Sequence, residues 1–568
     1  MFDDLSVRYA RWVIRHRWLV IAACLLFVAI AAAGLLRITM TADYRVFFNA
    51  DDPRLQTFEA FESTYSNMDT IVFVVKPENG DVFDDHTLSG IYELTEQAWQ
   101  IPHSVRVDSL ANFQHTRADG DDLVVSALVE EPTDINAAEV RSVALTEPSL
   151  VNRLVASDAR ATGIIVTLQL PGTDHTAHVP ESVYAARIIA EQFEARYPGL
   201  QVALTGMALM SFAQMEVIEQ DIRTLVPLMY GAIVVLLLVL LRSLMGTIAC
   251  LLVITFSVLP STGLMGWMGL QLNQASASAP VIIMTLAIAD CVHILISTFL
   301  EMSAGRNKHE ALVESLRINA QPVLLTSLTT AIGFLSLNFS DTPPFRDLGN
   351  FTALGVVVAW LMAMTFLPAL MAIVPLRPKR LTRKVRAMEA LGDFVVVNRR
   401  RLLWGFGLLV VPVIFLIPTL EIEDRYVEWF DESTTFRQDT DFATENLVGP
   451  YVLEFSVPSG EPGGVAASAY LERLEAFTDW LETQEEVVHV AAITDVMKRL
   501  NRSMHGDDPA WYRLPEERTL AAQYLLLYEM SLPYGLDLNS QVDIDKSASR
   551  VTVTLQNPTS KQLRDLAQ

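Results

Sequence analysis

The sequence predicts a polytopic α-helical membrane protein with large α+β domains outside the membrane. Three observations predict this fold class. The chain of 568 residues is 51% hydrophobic and 19% charged, and its mean hydropathy is +0.30, which is too apolar for an ordinary soluble protein of this length. Seven long apolar segments occur along it. Two long polar segments, 37–224 and 421–568, separate some of them, and the first holds most of the acidic excess behind the net charge of −24.

The first apolar segment, residues 18–36, contains no charged residue and follows an amino-terminal segment, 1–17, with four arginines. Its 19 residues are enough to cross a hydrocarbon layer of about 30 Å. A cleaved signal peptide is the alternative, because basic residues before an apolar stretch that ends in alanines fit it as well. An uncleaved anchor is favoured, since the segment is longer than a usual signal core and a similar segment recurs later.

Five further spans form one block, residues 225–374, and a seventh follows a basic linker, 375–401. The predicted spans of the block are 225–241, 247–270, 275–300, 323–337 and 351–374, and the seventh is 402–420. With the amino terminus in the cytoplasm, every short basic connection lies on the cytoplasmic side, as the positive-inside rule requires. The polar segments 37–224 and 421–568 then lie outside, in the periplasm of a cell with two membranes.

Residues 301–321, between the fourth and fifth spans, mix charged residues with apolar ones at helical spacing. This pattern predicts an amphipathic helix on the inner membrane surface. Such a helix could act as a lever between two spans or simply connect them, and the sequence favours neither.

The chain resembles itself at an offset of 382 residues, which aligns Tyr44 with Tyr426 and Phe48 with Phe430. A repeat of this length is too long for a solenoid unit and is typical of the two homologous halves of a transporter. The first half has one span, a large domain and five spans, whereas the second stops after one span and part of a domain. We therefore expect a two-half repeat that is truncated in its second half, lacking on the order of 190 residues.

The outer segments alternate predicted strands and helices, which favours α+β sandwiches. Strands are predicted at 70–75, 123–129, 163–170 and 201–204, with helices at 88–99 and 181–197. We find no phosphate loop, zinc-ligand spacing or nucleophile elbow, so no cofactor, no metal site and no enzymatic activity are predicted. His86 and His175 lie beside aspartates but lack ligand spacing, which indicates solvated surface. The cysteines all fall in apolar segments, which excludes a disulfide framework.

Asp290 lies near the middle of the almost uncharged fourth span, within APVIIMTLAIADCVHILIS. A carboxylate at bilayer depth costs roughly 2.5–3.5 kcal/mol, so it persists only where it faces partners, water or a transported ion. On a helix, Asp290, His293 and Ser297 lie within about 60° of one another and form one polar stripe. In the functional interpretation Asp290 accepts and releases a proton and His293 extends the pathway. In the structural alternative, hydrogen bonds hold Asp290 permanently.

The fifth span contains TSLTTAIGFLSL, which offers hydroxyl groups and small residues at helical spacing. We identify Thr329 and Thr330 as candidates for a polar relay and Gly333 as a candidate for close helix packing. The sequence alone does not show that the polar stripes of the fourth and fifth spans meet.

The order of these parts resembles the resistance-nodulation-division (RND) superfamily, in the branch of MMPL-type exporters and their sterol-sensing-domain relatives. The most specific segments are IAD-VH at 288–293 and TTAIGF at 329–334. By this resemblance, Asp290 corresponds to the acidic residue of the fourth span that carries protons, and Thr329, Thr330 and Gly333 correspond to the signature of the fifth span. Relatives often have a second acidic or polar residue beside the first, whereas Cys291 follows Asp290 here. Partner residues on a tenth span would lie outside this sequence.

The resemblance implies a multi-pass exporter of the bacterial inner membrane, driven by the proton-motive force, that moves hydrophobic or lipid-like substrates through porter-like periplasmic domains. Its expected partners are protons, a lipid or hydrophobic small molecule and the membrane itself. Nucleic acid is not expected, because the acidic outer segments repel it. Homo-oligomerisation and a periplasmic or outer-membrane partner are left open.

Two other functions are compatible with the same sequence. One is a sterol-sensing-like protein, whose five-span block binds a lipid and signals to a partner without pumping. The other is an accessory protein of protein secretion, as some RND relatives are. The polar stripe on the fourth span favours the pump over the sterol-sensing-like protein, and copurification of a secretion channel would favour the accessory protein.

Overall fold

A computed structural model describes residues 2–41, 43–65, 69–119, 122–132, 135–171, 178–376, 385–420, 425–447, 449 and 451–567. The chain divides into two compact units. The membrane unit comprises Met1–Asn49 and Gln214–Glu421, and the outer unit comprises Ala50–Ala213 and Ile422–Gln568. The two segments predicted as separate outer domains thus belong to one compact unit.

The described residues form α-helices α1–α18 and strands β1–β9. The helices are α1 Phe2–Arg15, α2 Arg17–Ala32, α3 Pro53–Thr64, α4 Asp85–Ala98, α5 Ala137–Thr146, α6 Val179–Arg196, α7 Met207–Leu241, α8 Leu244–Trp267, α9 Ala279–Ser303, α10 Lys308–Leu335, α11 Pro343–Met364, α12 Phe366–Ile373, α13 Val385–Leu416, α14 Thr435–Asn446, α15 Ser468–Glu482, α16 Ile493–Ser503, α17 Arg518–Ser531 and α18 Ser560–Ala567. The strands are β1 Thr70–Pro77, β2 Ser104–Asp108, β3 Gln114–Asp119, β4 Asp122–Ala127, β5 Thr162–Leu168, β6 Leu200–Thr205, β7 Tyr451–Pro458, β8 Val487–Ala491 and β9 Ala548–Leu555.

Seven helical segments among the described residues are long and apolar enough to cross a membrane. They lie in α2, α7, α8, α9, α10, α11 with α12, and α13, and their number matches the seven predicted spans. Helices α8 to α11 pack against one another, and α2 packs on α8. Their contacts form the hydrophobic core of the membrane unit.

Three of these helices begin about 15 or more residues before the predicted spans. Helix α7 begins at Met207 although its apolar part begins near residue 225, and α13 begins at Val385 within the predicted linker. Helix α10 runs from Lys308 through Pro322 to Leu335, so the predicted amphipathic segment is the first part of the fifth span's helix and not a separate element. The Asn307 side chain caps it by accepting a hydrogen bond from the Glu310 amide. The basic residues of the linker at 377–384 lie outside the described residues.

The first half of the outer unit contains a four-stranded antiparallel sheet in the order β2-β5-β1-β6. Helix α4 follows β1 and α6 follows β5, so the unit is a split β-α-β arrangement. The predicted strands and helices of this half are all present. Strands β2 and β3 were not predicted, because β2 is only five residues long with two apolar residues and the residues of β3 are almost all polar.

The second half contains a three-stranded sheet in the order β7-β9-β8, and the two halves exchange helices. Helix α14 packs on β6 of the first sheet, where Thr440 and Thr205 hydroxyls lie 2.8 Å apart. Tyr65, which follows α3, makes a hydrogen bond of 2.8 Å to Ser456 on β7. Because α3 and α14 occupy equivalent positions of the repeat, the exchange is reciprocal.

The repeated sequences also adopt the same local structure. Tyr44–Phe47 and Tyr426–Trp429 each form one turn of 3₁₀-helix, shortly before α3 and α14 respectively. The sequence repeat is therefore a structural repeat over this stretch.

Candidate functional site

Asp290 lies in the interior of the membrane unit, on α9, where only 7% of its surface is exposed. The hydroxyl of Ser327 on α10 lies 3.5 Å from one carboxylate oxygen. In the part of the chain that the structure describes, no ion pair joins Asp290 to a lysine, arginine or histidine within 4.0 Å. Among the described residues, the carboxylate is therefore buried with one weak hydroxyl partner and no countercharge.

Ser327 is the residue through which the polar stripes of the fourth and fifth spans meet, and it was not among the predicted site residues. Ser327 is buried, whereas Thr329 is exposed and Thr330 is half-buried. The Thr329 hydroxyl donates to the carbonyls of its own helix, at Leu325 and Thr326. Ser327 is one of four hydroxyl residues in TSLTT, and only the orientation of the helix shows which of them faces Asp290.

His293 is exposed and makes no hydrogen bond or ion pair with any residue that the structure describes. It lies about 60° around the helix from Asp290, and this rotation is enough to carry it out of the contact between α9 and α10. Ser297, only about 20° from Asp290, stays in that contact.

A second polar level lies further along the same two helices. The Asn319 amide donates to the Ser297 hydroxyl at 2.8 Å and to the Ser315 carbonyl at 2.8 Å. The Ser315 hydroxyl in turn donates to the Ile294 carbonyl at 2.6 Å. Seven residues of α9 separate Ser297 from Asp290, which corresponds to about 10 Å along the helix axis. The buried side chains of Ile294 and Val323 fall between the two levels in sequence.

A third polar contact lies near the start of α9 and of α11, at the ends of the membrane helices opposite to the Ser297–Asn319 level. Asn273, which is buried before α9, donates to a carboxylate oxygen of Asp347 on α11 at 3.1 Å. Asn273 and Ser276 also exchange hydrogen bonds with each other's backbone. This arrangement fixes the loop that leads into the helix of Asp290.

Close helix packing in the membrane unit occurs at glycines other than Gly333. A Cβ atom on Gly333 would have no atom of a described residue within 4 Å outside its own helix turn. A Cβ on Gly263 of α8 would lie 2.0 Å from the Ala31 carbonyl oxygen, and one on Gly34 would lie 1.9 Å from the Gly263 carbonyl oxygen. Glycine is therefore required where the first span crosses α8, while a packing role for Gly333 stays a prediction.

Buried charges in the outer unit are arranged differently. Arg499 on α16 is 2% exposed and donates to Glu147, which is 3% exposed, at 3.3 Å. The same guanidinium donates to the Tyr528 hydroxyl at 2.9 Å and stacks over the ring of Phe113. The ion pair joins the first half of the outer unit to the second, because Glu147 follows α5 and Arg499 belongs to α16.

A second charged cluster joins Asp108 to Arg106 at 2.9 Å and to Arg153 at 3.7 Å. Burial alone would raise the pKa of Asp108, but the charges of Arg106 and Arg153 hold it below its usual range. These carboxylates are compensated, so their role is to hold the fold together.

Comparisons with known proteins place the chain among membrane transporters. The model of the MMPL family matches residues 51–404. The siderophore exporter MmpL5 of Mycobacterium tuberculosis (strain CDC 1551 / Oshkosh) is 28% identical over 282 residues, which make up 47% of this chain and 29% of that protein. The putative membrane protein MJ1562 of Methanocaldococcus jannaschii is 29% identical over 178 residues, 31% of this chain and 45% of that protein.

The probable transport protein MmpL1 of Mycobacterium tuberculosis (strain CDC 1551 / Oshkosh) is 25% identical over 240 residues, which make up 41% of this chain and 25% of that protein. The matched segments cover less than half of the length of each of these relatives.

Proposed function

The chain belongs to the MMPL family, whose model matches more than half of its residues, and from this premise we propose that it is an exporter of hydrophobic or lipid-like substrates driven by the proton-motive force. The family membership confirms the resemblance predicted from the sequence. Together with the seven apolar helices it makes the chain a multi-pass membrane protein. In this proposal the protein lies in the bacterial inner membrane, with its amino terminus in the cytoplasm and a proton relay centred on Asp290.

The observation that carries the proposal is the environment of Asp290. An ionised carboxylate in an apolar interior without a countercharge has a large desolvation cost, which binding of a proton removes. The Ser327 hydroxyl lies 3.5 Å from the Asp290 carboxylate, and it is the group in this proposal that exchanges a proton with Asp290. A group in this position can exist in two protonation states of different stability, and a proton-driven transporter needs such a group.

The second polar level supports a pathway for the proton. Ser297 and Asn319 lie nearer the predicted cytoplasmic ends of α9 and α10 than Asp290 does. Since about 10 Å separates the two levels, transfer between them needs water molecules or a rearrangement of the helices. We therefore assign Ser297 and Asn319 to the cytoplasmic exit of the relay.

Transport is tested directly in proteoliposomes that contain the full chain and NBD-labelled phosphatidylethanolamine. Under an imposed pH gradient, we expect labelled lipid to change leaflets, as measured by dithionite quenching. Asp290→Asn should reduce this rate at least about 100-fold, as loss of a proton-transfer group does. Asp341→Asn, which changes an exposed aspartate of the membrane unit, is the matched control. Saturable lipid binding without any dependence on the gradient would support the lipid-binding alternative instead.

A second experiment tests the relay without a known substrate. Dicyclohexylcarbodiimide reacts with protonated carboxyl groups in apolar surroundings, so it should label Asp290 in the intact protein. Peptide mass spectrometry should locate the adduct at Asp290 and show less of it as pH rises. Absence of labelling at Asp290, with reaction elsewhere in the same sample, would contradict the proposal.

A further inference from the structure

Two histidines and one glutamate of the outer unit converge at a place that neither the relay nor the buried ion pairs involve. The ligand atoms of His103, His178 and Glu181 all lie within 4.8 Å of one another. Nε2 of His103 and Nδ1 of His178 both face the same carboxylate oxygen of Glu181. The two imidazole rings meet edge to face, with their centroids 5.2 Å apart.

The local structure holds each of these side chains in place. His178 immediately precedes α6 and Glu181 belongs to its first turn, so a spacing of three residues brings both to one face of the helix. His103 lies in the turn between α4 and β2 and has a left-handed backbone with φ of 67°. Its carbonyl accepts a hydrogen bond from the Gln169 amide at 2.9 Å.

The turn and the helix are also tied directly to each other. The Ser182 hydroxyl, next to Glu181, donates to the carbonyl of Pro102 at 2.8 Å. Ser182 itself is fully buried, so one end of this hydrogen bond is shielded from water. The three candidate ligands therefore sit on a fixed frame instead of on independent loops.

We propose that His103, His178 and Glu181 form a site for a divalent first-row transition metal, for which Zn²⁺ is the best match. Two imidazole nitrogens and one carboxylate oxygen are a donor set that zinc prefers, with a fourth position left for water. Tetrahedral zinc with bonds of about 2.0–2.1 Å needs ligand atoms about 3.3 Å apart. His178 Nδ1 and the Glu181 oxygen lie 3.4 Å apart, while His103 must withdraw from its direct hydrogen bond to Glu181 to make room for the ion.

The exposure of the cluster is compatible with entry of an ion from solvent. The side chains of His103, His178 and Glu181 are 24%, 37% and 52% exposed. When bound, the ion would connect the amino terminus of α6 to the turn before β2. It would therefore stabilise the first sheet of the outer unit by an amount that rises with the logarithm of the ion concentration above its Kd.

The test uses the full chain, purified in detergent without a histidine tag and titrated with ZnCl₂ in a calorimeter. We expect one equivalent of Zn²⁺ to bind. His103→Ala and His178→Ala should each lower the affinity by more than the roughly 10- to 100-fold that loss of an outer-shell partner causes. Glu181→Gln keeps the side-chain size and a hydrogen-bond acceptor, so weaker binding in this variant reports the lost ligand and not misfolding. His86→Ala, which removes an exposed histidine of the same unit outside the cluster, is the control and should bind as the wild type does.

Cobalt provides an independent spectroscopic readout. Co²⁺ bound by these ligands should give visible d–d absorption of a four- or five-coordinate ion, and this absorption should be absent from His103→Ala. Equal Zn²⁺ stoichiometry and affinity in the wild type and in the double variant His103→Ala/His178→Ala would overturn the proposal. Failure of the wild type to bind Zn²⁺ would also overturn it and would leave the cluster as a set of hydrogen bonds.

Discussion

Asp290 in the membrane unit and two carboxylates of the outer unit, Glu147 and Asp108, have opposite electrostatic surroundings. In the outer unit, Glu147 is paired with Arg499, and Asp108 with Arg106 and Arg153. In the membrane unit, Asp290 faces the Ser327 hydroxyl and no cation within the described residues. A charge that the fold compensates is structural, whereas a charge that it leaves uncompensated is available for proton binding.

The two units can be followed separately in one sample. Cys24, Cys250 and Cys291 are all free, buried and in the membrane unit, so a thiol-reactive fluorophore reports its unfolding. Of the nine tryptophans, Trp99, Trp429, Trp480 and Trp511 belong to the outer unit and the other five to the membrane unit, so a fluorescence change in urea is assigned to the outer unit only where it does not coincide with thiol exposure. The thiol signal therefore separates the contributions of the two units to the fluorescence.

The largest effect is expected where a compensated charge loses its partner. Arg499→Met leaves Glu147 buried and unpaired, which should lower the free energy of unfolding of the outer unit by about 3–5 kcal/mol in urea. The double variant Glu147→Leu/Arg499→Met should recover most of this loss, since no charge is left buried. A loss below about 1 kcal/mol in the single variant would mean that water reaches the pair.

A smaller but clear effect is expected at the crossing of α2 and α8. Gly263→Leu adds a Cβ atom that would lie 2.0 Å from the Ala31 carbonyl oxygen, so thiol exposure should indicate a loss of about 1–3 kcal/mol from overpacking. Gly333→Leu meets open space in this chain and should change stability by no more than about 0.5 kcal/mol. Equal losses in the two variants would show that Gly333 has a packing partner.

Asp290→Asn should change the stability of the membrane unit very little, by no more than about 1 kcal/mol. The physical reason is that asparagine keeps the hydrogen bond to Ser327 and removes an uncompensated charge. The midpoint of thermal thiol exposure should stay the same or rise. A large fall would indicate that Asp290 has a structural partner, and would remove the contrast between the units.

A different kind of effect is a pH dependence in the outer unit. Burial raises the pKa of Asp439 from 3.8 to about 6, although its carboxylate accepts a hydrogen bond from the Leu204 amide and lies near Arg187. Because the unfolded chain ionises first, the stability contributed by Asp439 falls as pH rises from 3.8 to about 6 and is constant outside this window. Asp439→Asn keeps the hydrogen-bond acceptor and should flatten this part of the profile, measured by urea titrations at several pH values.

His489 provides the opposite sign within the same unit. Burial lowers its pKa from 6.5 to about 4, and the charge of Arg153 acts in the same direction. The unfolded chain therefore binds a proton first as pH falls from 6.5, so stability falls with acidification between 6.5 and about 4. The difference between the stability profiles of Asp439→Asn and the wild type cancels the contribution of His489, so it reports the contribution of Asp439 alone.

Most of the membrane topology could be predicted from the sequence by itself. Seven spans, the position of Asp290 within one of them, the repeat and the family all depend on local hydropathy, helical periodicity and short motifs. These properties are carried by residues close together in the chain, because lipid requires each span to satisfy its own backbone hydrogen bonds.

Only the tertiary structure decided which polar groups meet. Ser327, and not the predicted Thr329 or Thr330, lies beside Asp290. His293 is exposed, and Asn319 forms a hydrogen bond with Ser297. The cluster of His103 with Glu181 joins residues 78 positions apart. Such contacts depend on how helices rotate and cross and how strands order in a sheet. These are properties of packing between distant segments, and no local pattern of residues encodes them.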